Sequence, residues 1–243
     1  MLEGKVKMSA RPQLSLCIPI CSDQELLREF DQNVTAFFQK FPLVYEILFA
    51  VAPKQDQSLS LLKELALKNP RYKISELTDS LSRAQRLENL FKSAQGDILM
   101  AASLDLTIPL SECFKILEVF YSDRNVEAVF GDRSKSKKNL ENHPQLVDNK
   151  IEIFFSGVIH EKAKWPFHDL FCPVFGIRKS AFEKIQGDLH SRGWHWTHEI
   201  QRLALKFSVQ SQEIPIYSGS RPGVKPPFWQ ETLALLNFVL FRI

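Results

Sequence analysis

With 243 residues, 44% apolar and 24% charged, the chain has the composition of a folded protein of one large or two small domains, and wholesale disorder is excluded. The formal net charge of +3 is too small for bulk electrostatic binding of nucleic acid, and leaves room only for a local basic site for phosphates. Residues 1–13 are mixed and polar, lack the apolar core of a secretory signal, and are expected to be disordered.

In chain order, Leu14 to Ile20 is a short apolar run that predicts a buried strand. Ser22, with Glu25 three residues on, forms a capping-box pattern. The helix it predicts carries Leu26, Leu27, Phe30, Val34, Phe37 and Phe38 on one face. Tyr45 to Val51 predicts a second strand, stopped by Pro53. Ser58 to Leu67 is helical in pattern, Tyr72 to Leu77 predicts a third strand, and Leu81 to Ala94 a helix bearing Arg83 and Arg86. Asp97 to Ala102 predicts a fourth strand running into Ser103-Leu104-Asp105. Pro109 opens a helix over Leu110 to Tyr121, and Val126 to Phe130 predicts a fifth strand closed by Gly131-Asp132-Arg133.

Strands alternating with helices argue for an α/β, mostly parallel sheet covered on both faces. Ligands of such sheets sit beyond the carboxyl ends of the strands. That singles out Ser22, Pro53 to Asp56, Ser103 to Asp105 and Gly131 to Arg133 as rim positions.

The second half is less regular. Ser134 to Asn142 is a lysine-rich loop, either a solvated loop or a lid. Pro144 to Lys162 has a helical pattern, Asp169 to Ile177 is a short apolar run, and Lys179 to Ile185 predicts a brief helix. Trp196 to Phe207 is amphipathic, and Val209 to Tyr217 holds a strand around Glu213-Ile214-Pro215-Ile216. Ser218 to Pro227 is a Gly/Pro loop with Arg221 and Lys225. Phe228 to Ile243 predicts a very apolar helix. Of the four cysteines, Cys17 and Cys21 lie along one apolar run that holds them too far apart to bridge. No second pair or histidine partner falls at a zinc-like spacing. Cys17, Cys21, Cys113 and Cys172 are therefore expected to be reduced, mostly buried thiols of a cytosolic protein.

These pieces, taken in order, resemble family-2 glycosyltransferases of the GT-A fold, and within them the polyprenyl- and dolichyl-phosphate hexosyltransferases. Leu16-Cys17-Ile18-Pro19 is similar to that family's "VVIP" strand. Tyr45-Glu46-Ile47-Leu48-Phe49 resembles "YEIIV", and Asp56-Gln57-Ser58 its "DQT". Gly96-Asp97-Ile98-Leu99-Met100 resembles the strand leading to the DxD motif, and Gly131-Asp132-Arg133 the "G-x-R" after the fifth strand. Asp169-Leu170-Phe171-Cys172 matches the start of "D-x-x-C-G-F", with Pro173 in place of the glycine. Trp196-Thr197-His198-Glu199 resembles "F-D-x-E", Glu213-Ile214-Pro215-Ile216 "E-I-P-V", and Arg221-Pro222-Gly223-Val224-Lys225 "E-G-S-K". The departures are as specific. Val51 and Ala52 stand where the family carries two aspartates for the nucleotide. Ser103-Leu104-Asp105 keeps only the second aspartate of DxD. His198 replaces an aspartate.

The resemblance implies a GT-A domain over residues 14–227, with a nucleotide half at 14–133, a smaller mixed acceptor half at 134–227, and an apolar helix at 228–243. It implies an inverting transfer of a hexose from a nucleotide-sugar to a lipid phosphate or glycan, assisted by Mg²⁺ or Mn²⁺. Pro19, Ser22, Asp56, Arg83, Ser103, Arg221 and Lys225 are the implied donor contacts. Asp105 is the implied metal ligand and, with Glu199, the implied catalytic pair. Arg133 is the implied clamp for the acceptor phosphate, since a guanidinium suits bidentate phosphate contact.

Each residue also has a plainer reading. Asp105 caps the following loop, Arg133 pairs with Asp132 or another surface carboxylate, Arg221 and Lys225 are solvated, and Glu199 complements a helix dipole. His195 and His198 form a weak metal pair with no third ligand. Trp194 and Trp196 stack on a sugar or pack in the core. The 228–243 helix is a core or dimer element, or an interfacial helix that holds a cytoplasmic protein at a membrane. The loss of three aspartates raises a second function, a GT-A scaffold that binds without turnover. A nucleotidyltransferase is a weaker third reading, because Ile20-Cys21-Ser22 supplies no glycine-rich phosphate loop.

Overall fold

The computed structural model describes residues 11–20, 24–41, 43–51, 57–78, 81–134, 156–161, 164–190 and 196–219. The elements in chain order are β1 (Leu14–Pro19), α1 (Gln24–Phe38), β2 (Tyr45–Val51), α2 (Ser58–Lys68), β3 (Tyr72–Glu76), α3 (Arg83–Ser93), β4 (Ile98–Ala101), α4 (Leu110–Ser122) and β5 (Ala128–Asp132). The second half adds β6 (Phe175–Arg178), α5 (Lys179–Ile185), α6 (Thr197–Lys206) and β7 (Ser211–Pro215), with a helical turn at 156–161. The seven strands form one sheet of order β3-β2-β1-β4-β6-β5-β7. Every neighbouring pair is parallel except the two made by β6, which runs antiparallel to both β4 and β5.

The strands form where they do because they are buried on both faces, so their sequences are continuous apolar runs. All six residues of β1 and all seven of β2 are buried. Alternate side chains divide between two cores. Leu14, Leu16, Ile18, Ile47, Phe49, Ile98 and Met100 meet α1, α2 and α4 on one face. Cys17, Leu48, Ala50, Leu99, Ala101, Phe130 and Phe175 meet α3, α5 and α6 on the other. Trp196 lies in this second core, edge-on to Phe91, Phe175 and Phe182 at centroid distances of 5.0, 6.0 and 6.3 Å, so its place is packing and not a sugar platform.

Helix ends follow local chemistry. The capping box forms at α3, where Ser82 Oγ accepts from Gln85 N and Gln85 Oε1 accepts from Ser82 N. The sequence pattern had placed one at Ser22, which lies outside the described residues. Arg178 donates to the Phe120 carbonyl from Nη2 at 2.9 Å and to the Val126 carbonyl from Nε at 2.8 Å. It thereby closes the end of α4 with a cation. Cys17, Cys113 and Cys172 are buried and unbridged, as expected, and burial pushes the Cys113 thiol up to about 12.

At the amino edge of the sheet one buried carboxylate sets the register. Glu46 accepts from Ser15 Oγ at 2.6 Å and Gln95 N at 2.6 Å, and pairs with Lys73 at 2.5 Å. Gly96 N donates in turn to Ser15 Oγ at 2.8 Å. Burial alone would raise the Glu46 carboxyl, but these donors hold it below its ordinary value. The backbones approach so closely here that a Cβ on Gly96 would lie 2.6 Å from Ser15 N and 2.8 Å from the Leu14 carbonyl carbon. Gly96→Ala is therefore expected to cost about 1–3 kcal/mol in urea or thermal unfolding. Gly187→Ala, where nothing lies within 4 Å, serves as control and should stay within about 0.5 kcal/mol.

Candidate functional site

The strand order leaves β1 in both directions, toward β2 on one side and β4 on the other. The gap beyond the carboxyl ends of β1 and β4 is the switch point at which open α/β sheets bind ligands. Cys17 is paired with Ala101. Carried two residues further, that register sets Pro19 level with Ser103. Arg83, the first residue of α3, reaches across so that Nη2 donates to Ser103 Oγ at 3.4 Å. Arg86, one turn on, is buried and donates from Nη1 to the Ile20 carbonyl at 2.6 Å and from Nε to the Leu81 carbonyl at 3.2 Å. It fixes the start of α3 against the end of β1. The sequence reading placed Arg86 on this helix but gave it no part in the site. Three expected donor positions, Pro19, Arg83 and Ser103, are thus brought together. Ser22, Asp56, Arg221 and Lys225 lie outside the described residues.

Asp105 follows in a tight turn. Its Oδ1 accepts from Thr107 N at 3.0 Å and Thr107 Oγ1 at 3.1 Å. Leu106 between them is left-handed, with φ 49°, a conformation that costs a side-chain-bearing residue roughly 1–2 kcal/mol. Asp105 lines an open cavity of about 440 Å³, together with Glu29, Asn33, Phe37, Thr107 and Gly219. The chain beyond β7 is laid over this cavity's edge. Ile216 N donates to the Asp132 carbonyl, Tyr217 N to Glu112 Oε2, and Gly219 N to the Thr107 carbonyl at 2.7 Å. Asp105 is a fit for one ligand of a divalent cation. Ser103 offers only a hydroxyl where a complete DxD motif has its first carboxylate. Val51 closes β2 in the core at 2% exposure, where no charged group is presented.

The other end of the rim is built on a buried ion pair. Arg133, 5% exposed, forks onto Asp169, 0% exposed, with Nε–Oδ2 at 2.7 Å and Nη2–Oδ1 at 2.9 Å. Its backbone N donates to the same carboxylate at 3.1 Å. Arg133 therefore pairs with Asp169, a partner that the sequence did not suggest. Asp132 instead accepts from Ser134 N at 2.8 Å and Ser134 Oγ at 2.5 Å. Burial would raise the Asp169 carboxyl, but the guanidinium beside it outweighs burial and holds it below the usual carboxylate range. Asp169 also accepts from Phe171 N, offers its carbonyl to Gln201 Nε2 at 3.0 Å, and donates its N to Glu213 Oε1 at 3.0 Å. Glu213 accepts further from His168 N and His168 Nδ1, the latter at 2.9 Å. Its carboxyl is raised, by burial first, with a further contribution from the Asp132 charge.

Glu199 lies in the first turn of α6 at 1% exposure and forks onto Arg202 at 2.9 and 3.2 Å. Its placement is that of a helix-start carboxylate. His198 sits beside it, partly buried, and His195 is outside the described residues, as is 228–243. Among the described residues no helix is long and apolar enough to cross a membrane.

The Arg133–Asp169 pair carries a stability prediction. Asp169→Asn leaves a buried guanidinium without its counter-charge and is expected to cost about 3–5 kcal/mol at pH 7. Because the folded carboxyl lies below its unfolded value, the pair's contribution is full above about pH 4 and is lost as pH falls through the folded value. Urea midpoints taken from pH 7 to pH 3 should therefore fall more steeply for the wild type than for Asp169→Asn.

Residues 15–186 match the family described as Glycosyl transferase family 2. A Bacillus subtilis (strain 168) protein named as the uncharacterized glycosyltransferase YkcC is 25% identical over 130 residues, which is 54% of this chain and 40% of that relative. This chain's match thus spans less than half of the relative's length. Among solved structures, glucosyl-3-phosphoglycerate synthase from Mycobacterium tuberculosis with Mn²⁺, UDP and phosphoglyceric acid superposes with TM-score 0.68 at 8% identity, over 94% of this chain and 78% of that one. The mannosyltransferase PcManGT from Pyrobaculum calidifontis, with GDP-Man and Mn²⁺, superposes with TM-score 0.56 at 14% identity, over 96% of this chain and 71% of that one. Likeness at such identity speaks for the fold, which is that of the GT-A enzymes, and the matched stretch runs from β1 through α5 across the whole switch point. The chain belongs to glycosyl transferase family 2.

Proposed function

We propose that this chain transfers a hexose from a nucleotide-sugar to a lipid-phosphate or glycan acceptor, with inversion, and that Mg²⁺ or Mn²⁺ is held at Asp105. The observation behind this reading is the position of Asp105, in the turn that follows β4, on the edge of a cavity of about 440 Å³ between α1 and the start of α4. The UDP, GDP-Man and Mn²⁺ named with the structural neighbours support the same class of donor and cofactor. A divalent cation often needs only one or two protein carboxylates, with phosphate and water completing its shell, and it would offset charge developing on the leaving diphosphate. The chain's own groups act on the same charge. Arg83 and the amino end of α3 face the rim at Ser103, and a helix amino terminus with an arginine in its first turn favours an anion. In sequence, Arg221 follows two residues after Gly219, which is tied to Thr107.

On the acceptor side the reading assigns the acceptor phosphate to Arg133, but through its charge and not through a bidentate fork, since its Nε and Nη2 are held on Asp169. A lipid-phosphate acceptor is already an anion at neutral pH and asks for little general-base help, which suits a site whose Glu199 is committed to Arg202. The proposal includes a cytoplasmic location, with residues 228–243 as the segment that meets a membrane. The second reading, binding without turnover, is favoured by two specific replacements, the buried Val51 and the hydroxyl of Ser103.

A thermal-shift panel of UDP-, GDP- and dTDP-sugars with and without Mn²⁺, on wild type and Asp105→Ala, tests both readings. Donor at a hundred times its dissociation constant adds about 2.7 kcal/mol, roughly 5–10 °C for a domain of this size. The transferase reading expects a metal-dependent shift that Asp105→Ala removes, and release of nucleoside diphosphate when vesicles carrying polyprenyl phosphate are added. A shift with no release under any acceptor supports the scaffold. No shift with any donor at millimolar concentration overturns the transferase.

A further inference from the structure

A second cluster of ligating groups stands apart from Asp105. Asp132 ends β5, Glu213 lies on β7, and His168 is on the chain that approaches β6. Their ligand atoms all lie within 4.8 Å of one another. β5 and β7 are parallel neighbours, with Phe130 opposite Glu213 and Asp132 opposite Pro215. The cluster is two to three strands from β4, so at about 4.8 Å per strand it lies about 10–14 Å along the sheet from the Asp105 position. It is a separate place on the same rim.

We propose that Asp132, His168 and Glu213 form a divalent-cation site distinct from Asp105, selective for Zn²⁺ or Mn²⁺ over Mg²⁺. The donor set is one imidazole and two carboxylates. Imidazole suits Zn²⁺ and the transition metals, whereas Mg²⁺ takes oxygen ligands and dehydrates reluctantly. At metal–ligand bonds of about 2.0–2.2 Å, two atoms on one ion lie about 3–3.5 Å apart. His168 Nδ1 and Glu213 Oε2, at 2.9 Å, need to open only slightly to share one ion, with the proton between them displaced. Glu213 is already oriented by the backbone amides of His168 and Asp169, as a ligating carboxylate is when its outer hydrogen bonds are in place.

The independent observation is His160. Its ring packs on that of His168 at a centroid distance of 4.2 Å, tilted 31°. Its Nδ1 is enclosed and, among the described residues, has no hydrogen-bond partner. Most enclosed polar atoms of folded proteins are hydrogen-bonded, so an unpartnered imidazole nitrogen at this place is an exception that asks for a cause. A second imidazole in that condition, packed on the ring of His168, is the observation that sets this cluster apart from a plain hydrogen-bonded group of side chains. Three protein ligands would leave at least one position on such an ion for water or another oxygen donor.

The test is run without nucleotide and on the Asp105→Ala background, so its failure and that of the transferase reading are separable. The protein is stripped with chelator, reloaded with Zn²⁺ or Co²⁺, dialysed and assayed for bound metal by mass spectrometry and Co²⁺ visible absorption. The expected result is one equivalent of Zn²⁺ retained, a Co²⁺ spectrum of a nitrogen-containing low-coordinate site, and loss of both in His168→Ala. His168 has a 38% exposed side chain, so this variant should melt within a few degrees of its parent. Asp132→Asn, which keeps the shape of the Ser134 turn, should weaken Zn²⁺ at least tenfold. Retention below 0.2 equivalents in the parent, or equal retention and an unchanged Co²⁺ spectrum in His168→Ala, overturns the site.

Discussion

Taking a guanidinium and a carboxylate out of water together is costly, and the carboxyl rim of this sheet is organised around the place where that cost is met. Arg133 and Asp169 are almost fully enclosed, and their parallel fork with an added backbone donor is the geometry in which a buried pair recovers its desolvation. Arg133 follows β5, and Asp169 precedes β6, which runs antiparallel between β4 and β5. The pair therefore ties the end of one strand to the entry of the strand inserted beside it. Through its carbonyl and amide, Asp169 also engages α6 and β7. One residue thus connects β5, β6, α6 and β7, and the chain from Ile216 to Gly219 ties the end of β5 to α4 and to the turn at Thr107.

The opposite edge uses the same device for another end. Glu46 is buried in the second strand and satisfied by donors from β1, β3 and the turn into β4. Its hydrogen bonds are spent on register. A buried carboxylate is therefore no sign of chemistry in itself. What separates the two edges is backbone. The amino edge closes on Gly96 with no room for a Cβ, whereas the carboxyl edge opens into a left-handed turn at Leu106 and a cavity beside Asp105.

The first half of the fold was legible because a strand buried on both faces must be an apolar run, as in β1 and β2, and a covering helix must show its stripe, as Leu27, Phe30, Val34 and Phe38 do. α5 was read with its bounds for the same reason. Boundaries slipped where a side chain decides them. Ser82 caps α3 through Gln85, a pattern with glutamine in place of glutamate and no apolar run before it. The direction of β6 was not readable, since its four residues carry no mark of their neighbours. The site was legible only where motif order is local. Ser103 and Asp105 stand in one short stretch, but Asp169 became Arg133's partner, and Asp132, His168 and Glu213 became neighbours, only through the pairing of strands far apart in sequence, 36 residues for Arg133 and Asp169 and 45 for His168 and Glu213.

The replaced aspartates change the electrostatics of the donor rim in a definite direction. A carboxylate at position 103 would sit within reach of Arg83, and the two would neutralise each other across the switch point. Serine at 103 accepts one hydrogen bond from Arg83 and brings no charge of its own to the rim. The amino end of α3, capped by Ser82 and without an acidic residue in its first turn, adds to that positive field. Under the donor reading proposed above, a diphosphate here would meet one carboxylate fewer than a complete DxD pair presents, so its binding would lean more on Arg83 and the amino end of α3 and less on a cation at Asp105.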